Sequence, residues 1–533
     1  MKTILKNGKI YVERDYFVSA LCIENGIITN IGGNEDISRW GNGKLIDLKG
    51  KTIVPGFNDS HMHLLHCYYF LQRANLLGST SISSVIDTCK EFLATHPDKK
   101  ILLGRGWNQG YFTDEKRLLN RWDLDKISTD IPVLLTRVCG HAAAVNSKVI
   151  ELLKLDKNFS LDAGGRLGFD GEVCNGILYE SAVNQIKYLI NEPTKKTDVF
   201  DSLKKITYLV NTQGITSVST NDIYIGYPDG KPVEDGYRLY EKDNPTVRIN
   251  HQISFYNLET FKKRIEKGYN KTDNPQYNRY GPIKLFIDGS LGPRTALLTH
   301  PYADDSGTMG MGVLTQEEID AFVQIATEHG IQCVTHGIGD GGIDRVLNAY
   351  ESVIRGTDNP LRHGIIHAQV TRPDQLQRMA ANHVPTLMQP IYLNNGISDL
   401  RLKVGEELAS TSAAYKSMIN MGIPVSYGTD SPIASYAVIP TIHCAVNRQN
   451  FQHYPKEGFY PSERVSVQEA IDAYTIEGAR ISFEENIKGR LLPGYYADMV
   501  VLSDDIFIID KNHILDIQVE MTIMDGKIVY TRS

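Results

Sequence analysis

Two histidines one residue apart, in Asp59-Ser60-His61-Met62-His63, are the sharpest chemical feature of the chain. Residues two apart in an extended chain point to the same side, so His61 and His63 can hold one metal ion from the end of one strand. Imidazole is a common metal ligand. A His-x-His pair by itself is more often structural. Here it follows the β-like run Ile53-Val54-Pro55-Gly56-Phe57 and precedes an apolar helix-like stretch. His66, one helical turn on, reads as a neighbour rather than a ligand. Other ligand types close other β-like runs. His336 follows Gln332 to Thr335, His367 follows Gly364 to Ile366, and Asp430 follows Pro424 to Thr429. Any one of these alone reads as a satisfied polar residue. Four strand ends each delivering a ligand type point to a metal centre, whose expected chemistry is hydrolysis, because a divalent ion lowers the pKa of water from ~15.7 toward ~7.

Such ligands need a scaffold that presents strand ends side by side. The middle of the chain alternates β-like and helical stretches, as a parallel α/β fold does. Candidate strands are Ile53 to Phe57, Val133 to Val138, Ile215 to Ser219, Arg248 to Phe255, Ile283 to Ile287, Gln332 to Thr335, Gly364 to His367, Val384 to Met388 and Pro424 to Gly428. That is nine for an eight-stranded barrel whose active site would lie at the C-terminal face. The surplus is assigned to an insertion of about residues 65–200, an elaboration over the barrel mouth. Both chain ends read as hairpins. Thr3 to Ile10 alternates around Asn7-Gly8, Ala20 to Ile23 and Ile27 to Ile31 flank Asn25-Gly26, and Met521 to Met524 and Lys527 to Thr531 flank Asp525-Gly526. One β domain built from 1–55 and 485–533, around a barrel of 56–484, is the expected organisation.

The bulk numbers exclude other classes. A chain of 533 residues, 41% hydrophobic and 22% charged, is an ordinary globular composition of more than one folding unit. A net charge of −7 argues against a nucleic-acid partner, and no basic run suggests a membrane surface. Seven cysteines, an odd count without a Cys-x-x-Cys pair, read as reduced cytosolic thiols. The N-terminus reaches a polar turn too early for a signal peptide. A cytoplasmic protein is expected, with assembly into a homo-oligomer left open.

The motifs together resemble the amidohydrolase superfamily, and within it the YtcJ-like, N-substituted formamide deformylase-like branch (amidohydrolase family 3). Val54-Pro-Gly-Phe-Asn-Asp-Ser-His-Met-His63 is similar to that family's first-strand motif, Ile283-Lys-Leu-Phe-Ile-Asp-Gly-Ser-Leu-Gly292 to its fourth, and Ser426-Tyr-Gly-Thr-Asp-Ser-Pro432 to its eighth. Lys488-Gly-Arg-Leu-Leu-Pro-Gly-Tyr-Tyr-Ala-Asp498 resembles its return into the β domain. The resemblance spans nearly the whole chain and implies a (β/α)8 TIM barrel with a composite β-sandwich.

It also implies roles. An ammonium cannot ligate a metal, yet related enzymes carboxylate a lysine at the position of Lys284 into a carbamate that bridges two ions. The alternative is a lysine paired with Asp288 or with a substrate carboxylate. The implied ligand set is His61, His63, Lys284, His336, His367 and Asp430, holding one or two divalent ions, with Zn2+ expected. Asp430 would also shuttle the proton to the leaving nitrogen. His141, in a Gly-His element, would bind the substrate oxygen, Arg294 would clamp a substrate anion, and Glu180 would be a polar wall residue. Plain loop architecture is the competing reading of His141 and Arg294, and structural pairing that of Glu180. The expected activity is hydrolysis of a non-peptide C–N bond in a small-molecule amide, an N-substituted formamide or N-acyl amine. A cyclic amide hydrolase or deaminase would use the same scaffold, and a non-catalytic metal-binding regulatory protein is the alternative from another class.

Overall fold

The computed structural model describes residues 2–532 apart from 139–140, 162–163, 191–193, 270–271, 355 and 357. The chain divides into two compact units, 1–67 with 195–533, and 68–194.

In the first unit, eight parallel strands follow one another around a barrel: β1 (Phe57–Met62), β2 (Ile215–Thr220), β3 (Arg248–Phe255), β4 (Asn278–Phe286), β5 (Cys333–Gly337), β6 (Gly364–His367), β7 (Thr386–Met388) and β8 (Val425–Tyr427). Each pairs in parallel with the next. Parallel neighbours need crossover connections, supplied by helices such as Gly230–Tyr240 before β3, Gln316–Glu328 before β5 and Asp340–Ile354 before β6. The helix before β5 opens on a capping box in which Thr315 and Glu318 satisfy each other's backbone N–H.

The seam between β8 and β1 closes through the residues just beyond β8. The Asp430 N–H donates to the His61 carbonyl at 2.8 Å, and the His63 N–H donates to the Ser431 carbonyl at 2.8 Å. Gly428 is needed here. A Cβ on it would stand 2.6 Å from the His61 nitrogen and 2.8 Å from its oxygen.

Both chain ends meet in two sheets that share a core. One is ordered Ile27–Gly32, Ala20–Glu24, Lys2–Lys6, Lys44–Asp47. The other runs Lys527–Thr531, Val519–Met524, Met499–Leu502, Thr52–Pro55, Lys9–Glu13, Tyr16–Val18. Leu5, Leu21 and Ile28 of the first pack with Ile10, Ile53, Val501 and Ile523 of the second. Asn25-Gly26 and Asp525-Gly526 both take positive φ at both positions, the two-residue turn their hairpins require. A buried ion pair ties this sandwich to the barrel. The Arg248 fork holds Asp498 at 2.7 and 3.1 Å and lies over the Tyr496 ring.

Two local expectations are corrected. Asn7-Gly8 does not turn a hairpin: Lys2–Lys6 and Lys9–Glu13 lie in different sheets. Asn7 alone has positive φ there, and a Cβ at Gly8 would meet the Leu48 side chain at 2.5 Å, so the chain crosses between layers instead of folding back. The run Ile53 to Phe57 is not one strand before the metal motif. It splits into a sandwich strand ending at Pro55 and β1, which itself contains His61. Gly56 marks the junction, where a Cβ would overlap the Thr216 hydroxyl.

The second unit carries a mixed six-stranded sheet ordered Arg166–Asp170, Val173–Tyr179, Ala142–Val145, Val133–Arg137, Leu102–Trp107, Ala74–Asn75. The ninth strand candidate, Val133 to Val138, lies here. Alternate residues feed a core on each face: Val133 and Leu135 pack with Leu102 and Trp107, while Leu134 packs with Val145, Leu178 and Ile186. Among the described residues no helix is long and apolar enough to cross a membrane.

Candidate metal centre

The C-terminal ends of β1, β4, β5, β6 and β8 bring His61, His63, Lys284, His336, His367 and Asp430 into one cluster. Nε2 of His61 and Nε2 of His63 lie 3.3 and 3.2 Å from the same Asp430 oxygen, Oδ1. The second nitrogen of each ring is engaged. His61 Nδ1 is 2.5 Å from Gln252 Oε1, and His63 Nδ1 is 2.9 Å from the Asn221 carbonyl. Gln252 is itself oriented, donating its amide to the Ser60 carbonyl at 3.0 Å. Both partners accept only, so in the neutral rings each Nδ1 carries the proton and each Nε2 turns a lone pair toward Asp430. Two lone pairs and a carboxylate oxygen facing one another offer a cation three ligand atoms. The three ligand atoms lie within 4.8 Å of one another, and the donor set suits a divalent ion.

His367 repeats the device. Its Nδ1 is 2.7 Å from Gln389 Oε1, and Gln389 donates to the Leu387 carbonyl at 2.9 Å. His336 uses the opposite nitrogen, with Nε2 2.9 Å from the Gly289 carbonyl, which leaves Nδ1 bare. The His336 and His367 rings are 4.5 Å apart. Lys284 is buried, with Nζ 3.4 Å from His61 Nε2.

Burial keeps His61, His336 and His367 in the neutral, ligating form. Burial, with the Lys284 charge adding to it, lowers His61 to about 4 and His336 to about 3. Burial also brings the Lys284 amine down to about 7, against the pull of Asp430. Burial lowers His63 too, but the adjoining Asp430 outweighs it and leaves His63 above its ordinary value. Burial would raise Asp430, yet His61 and His63 hold it well below the usual carboxylate range. The Tyr392 hydroxyl donates to its other oxygen, Oδ2. Asp430 and His367 both sit in the left-handed backbone region, at φ 53° and 76°. Non-glycine residues are held there only where the surroundings over-determine them.

The remaining expected residues fall elsewhere. Arg294 turns its fork onto Asp304, at 3.0 and 2.7 Å, so the donors assigned to a substrate anion are already committed. His141 and Glu180 belong to the second unit, where His141 Nδ1 meets Glu180 Oε2 at 2.9 Å; the preceding Cys139 and Gly140 lie outside the described residues. Asp288 does not hold Lys284. It accepts the backbone N–H groups of Leu297, Ile338 and Gly339 at 2.8–3.1 Å. His66 stands 3.5 Å from the buried Asp222, and the two form a second ligand-type group with His63.

Sequence reasoning missed Gln252, Gln389, Asn221 and Tyr392. One signal was present for the first. Asn250-x-Gln252-x-Ser254 places polar side chains at every second position of β3, where a parallel strand is expected to be continuously apolar.

An eight-stranded parallel barrel with imidazoles, a lysine and an aspartate at its strand ends defines the metal-dependent hydrolase class. Residues 44–530 match the model of the amidohydrolase family, and the chain belongs to that family. A Bacillus subtilis (strain 168) protein named "Putative amidohydrolase YtcJ" is 31% identical, over the full length of both chains. The N-substituted formamide deformylase of Arthrobacter pascens is 23% identical, over 98% of this chain and 96% of its own. Among solved structures, an uncharacterized metal-dependent hydrolase from Pyrococcus horikoshii superposes with a TM-score of 0.80 at 28% identity, covering 96% of this chain and 99% of that one.

Proposed function

We propose that this hydrolase cleaves the C–N bond of a small-molecule amide, an N-substituted formamide or N-acyl amine, using Zn2+ or a similar divalent ion held by His61, His63 and Asp430. The observation that carries the reading is the convergence of two oriented Nε2 lone pairs on Asp430 Oδ1. His336 and His367, with Lys284 carrying CO2 as a carbamate, would hold a second ion. The buried, partly uncharged Lys284 amine beside His61 supports that carboxylation. A divalent ion bound here supplies a hydrolytic nucleophile at neutral pH and polarises the scissile carbonyl.

The chain's own residues then divide the work. Gln252, Gln389 and the Asn221 carbonyl fix which nitrogen of each ring faces inward. The Asp430 carboxylate takes up a proton as the nucleophile adds, and returns it to the departing amine nitrogen. An amide nitrogen leaves poorly unless protonated, so the return step dominates. Tyr392 holds the far oxygen of Asp430 and so keeps Oδ1 aimed at the centre. The resemblance to a formamide deformylase supports the substrate class. Six described cysteines, all buried and unpaired, support a cytoplasmic setting.

The test is hydrolysis of N-benzylformamide and of matched N-acetyl amines by the Zn2+-loaded chain, with metal counted by elemental analysis. Amine release that scales with bound metal supports the reading. A metal-loaded chain that opens cyclic amides or deaminates, but leaves both open-chain classes intact, would overturn it.

A further inference from the structure

Three tyrosines just beyond the C-terminal ends of β2 and β3 form a wall that starts beside the metal centre and ends in solvent. All three lie in the first unit. After β2 the chain runs on to a short strand, Tyr224–Ile225, which pairs in parallel with Ser254 and Phe255 at the end of β3. The Ser254 N–H donates to the Ile223 carbonyl at 3.1 Å, and the Tyr256 N–H to the Ile225 carbonyl at 3.0 Å. This added pairing sets Tyr224 and Tyr256 on neighbouring segments. Gly226 then turns the chain at φ 96°, where a Cβ would stand 2.8 Å from the Tyr256 Cβ. Glycine tolerates both the positive φ and the close approach, and Tyr227 is thereby laid against Tyr256. The ring centroids of Tyr224 and Tyr227 are 5.9 Å apart, and those of Tyr227 and Tyr256 are 5.3 Å apart, both edge-to-face.

The inner end of the wall is tied to the metal centre. The Tyr224 hydroxyl donates to Asn221 Oδ1 at 3.0 Å, and the Asn221 carbonyl is the group that orients His63. The rings of His63, His66 and Tyr224 follow one another at 5.8 and 6.3 Å. The outer end is open, with Tyr227 46% and Tyr256 64% exposed. Exposed aromatics scattered singly need no explanation, but a contiguous wall of them leading out of a reaction centre marks a ligand surface. Continuity with the centre makes its occupant part of the molecule held there. Neighbouring rings touch, so they offer a surface rather than the enclosure in which an aromatic cage holds a desolvated cation. A flat ring laid on this surface takes apolar area of both partners out of water and adds an aromatic contact.

We propose that Tyr224, Tyr227 and Tyr256 bind an aromatic ring carried by the substrate and so set the preference among substrates. The proposal rests on the amide-hydrolase reading only in taking the molecule held at the ion to be the substrate.

The test reads affinity, not turnover. Hydroxamates chelate a divalent ion through two oxygens, and their binding to the full, metal-loaded chain is measured by calorimetry. Phenylacetohydroxamate against acetohydroxamate places the ring on the acyl side. N-benzylformohydroxamate against N-methylformohydroxamate places it on the nitrogen side. In at least one pair the phenyl member should bind at least about 5-fold tighter. Tyr227→Ala and Tyr256→Ala should each reduce that ratio by about 2–10-fold, and Tyr227→Phe, which keeps the ring, should retain it. Tyr256→Ala carries the comparison if Tyr227→Ala does not fold. Binding by none of the four probes, a ratio near one in both pairs, or a ratio that both alanine variants leave intact would overturn the proposal. So would a trimethylammonium group that binds as tightly as phenyl in the same position, since it would mark a cation site. A chain that shows the expected ratios yet leaves every amide intact would refute the amide-hydrolase reading while the aromatic wall stands.

Discussion

The Asp59 carboxylate reaches across the closing seam of the barrel to Thr429, accepting its backbone N–H at 3.1 Å and its hydroxyl at 2.6 Å. It also accepts the His61 N–H at 3.2 Å. One buried side chain thus fixes the first and the last elements of the metal centre relative to each other. Asp59→Ala should leave three donors unpaired and cost about 1–3 kcal/mol per unmet group at most. A thermal melt should show the loss, and elemental analysis should show reduced metal retention. Unchanged metal content at a normal melting temperature would contradict this role.

Gly428 makes the same seam from the other side. Gly428→Ala places a methyl group against the His61 backbone, which cannot swing away as a side chain would. Overpacking of this kind costs about 1–3 kcal/mol. The variant should melt lower and lose activity together with metal, whereas Gly422→Ala, with nothing within 4 Å, isolates the backbone effect of a positive φ, here 78°.

Gln252→Ala and Gln389→Ala should each weaken metal binding or turnover by about 10–100-fold, the usual effect of removing the partner that orients a ligating imidazole. Competition with a chelator measures it directly. Gln252→Glu should retain more affinity than the alanine variant, because the carboxylate still accepts from His61 Nδ1. Equal loss in both variants would mean that Gln252 acts by packing alone.

His363 sets a pH dependence away from the site. It is buried, its Nδ1 accepts the Cys333 N–H at 3.0 Å at the start of β5, and its Nε2 lies 3.0 Å from the Thr327 hydroxyl. Burial lowers it to about 4. The unfolded chain binds a proton near pH 6.5, while the folded chain resists until about pH 4. The resulting stability is therefore complete above 6.5 and is lost as pH falls toward 4, by at most about 3 kcal/mol. Denaturant melts at pH 7 and pH 5 should show the loss in the wild type and a smaller one in His363→Asn. An identical slope in both would contradict this assignment.

The parts of the site that were legible in the sequence were those whose residue type is rare at a strand end. His61, His63, His336, His367 and Asp430 stood out as a set: each alone has a bland explanation, but four strand ends each delivering a ligand type do not. Gln252 and Gln389 did not, since a glutamine has many uses and its partner lies 191 or 22 residues away. For Arg294 the substrate clamp and the loop reading could not be separated by spacing: its fork pairs with Asp304, ten residues on, through a loop whose geometry no spacing rule gives. The eight strands were legible from alternation with helices, but the start of β1 was not, because Ile53 to Phe57 reads as one apolar run while Gly56 splits it between two sheets.

The metal binding proposed for His61 and His63 is directly countable. His61→Ala with His63→Ala should remove at least one equivalent of metal and abolish hydrolysis, while the circular dichroism spectrum is retained. Wild-type metal stoichiometry in the double variant would place the ion elsewhere.

The central claim is that Asp430 moves the proton rather than merely completing the fold. Asp430→Asn is nearly isosteric and keeps an oxygen that can coordinate weakly and accept from Tyr392, but it cannot carry a proton. Loss of a general acid–base group costs about 10²–10⁴-fold in rate. The decisive measurement is kcat per bound metal, taken beside a thermal melt of the same sample. The account predicts a melting temperature close to wild type with kcat per metal down at least about 100-fold. A near-normal kcat per metal with a depressed melting temperature would show Asp430 to be a structural carboxylate and contradict it.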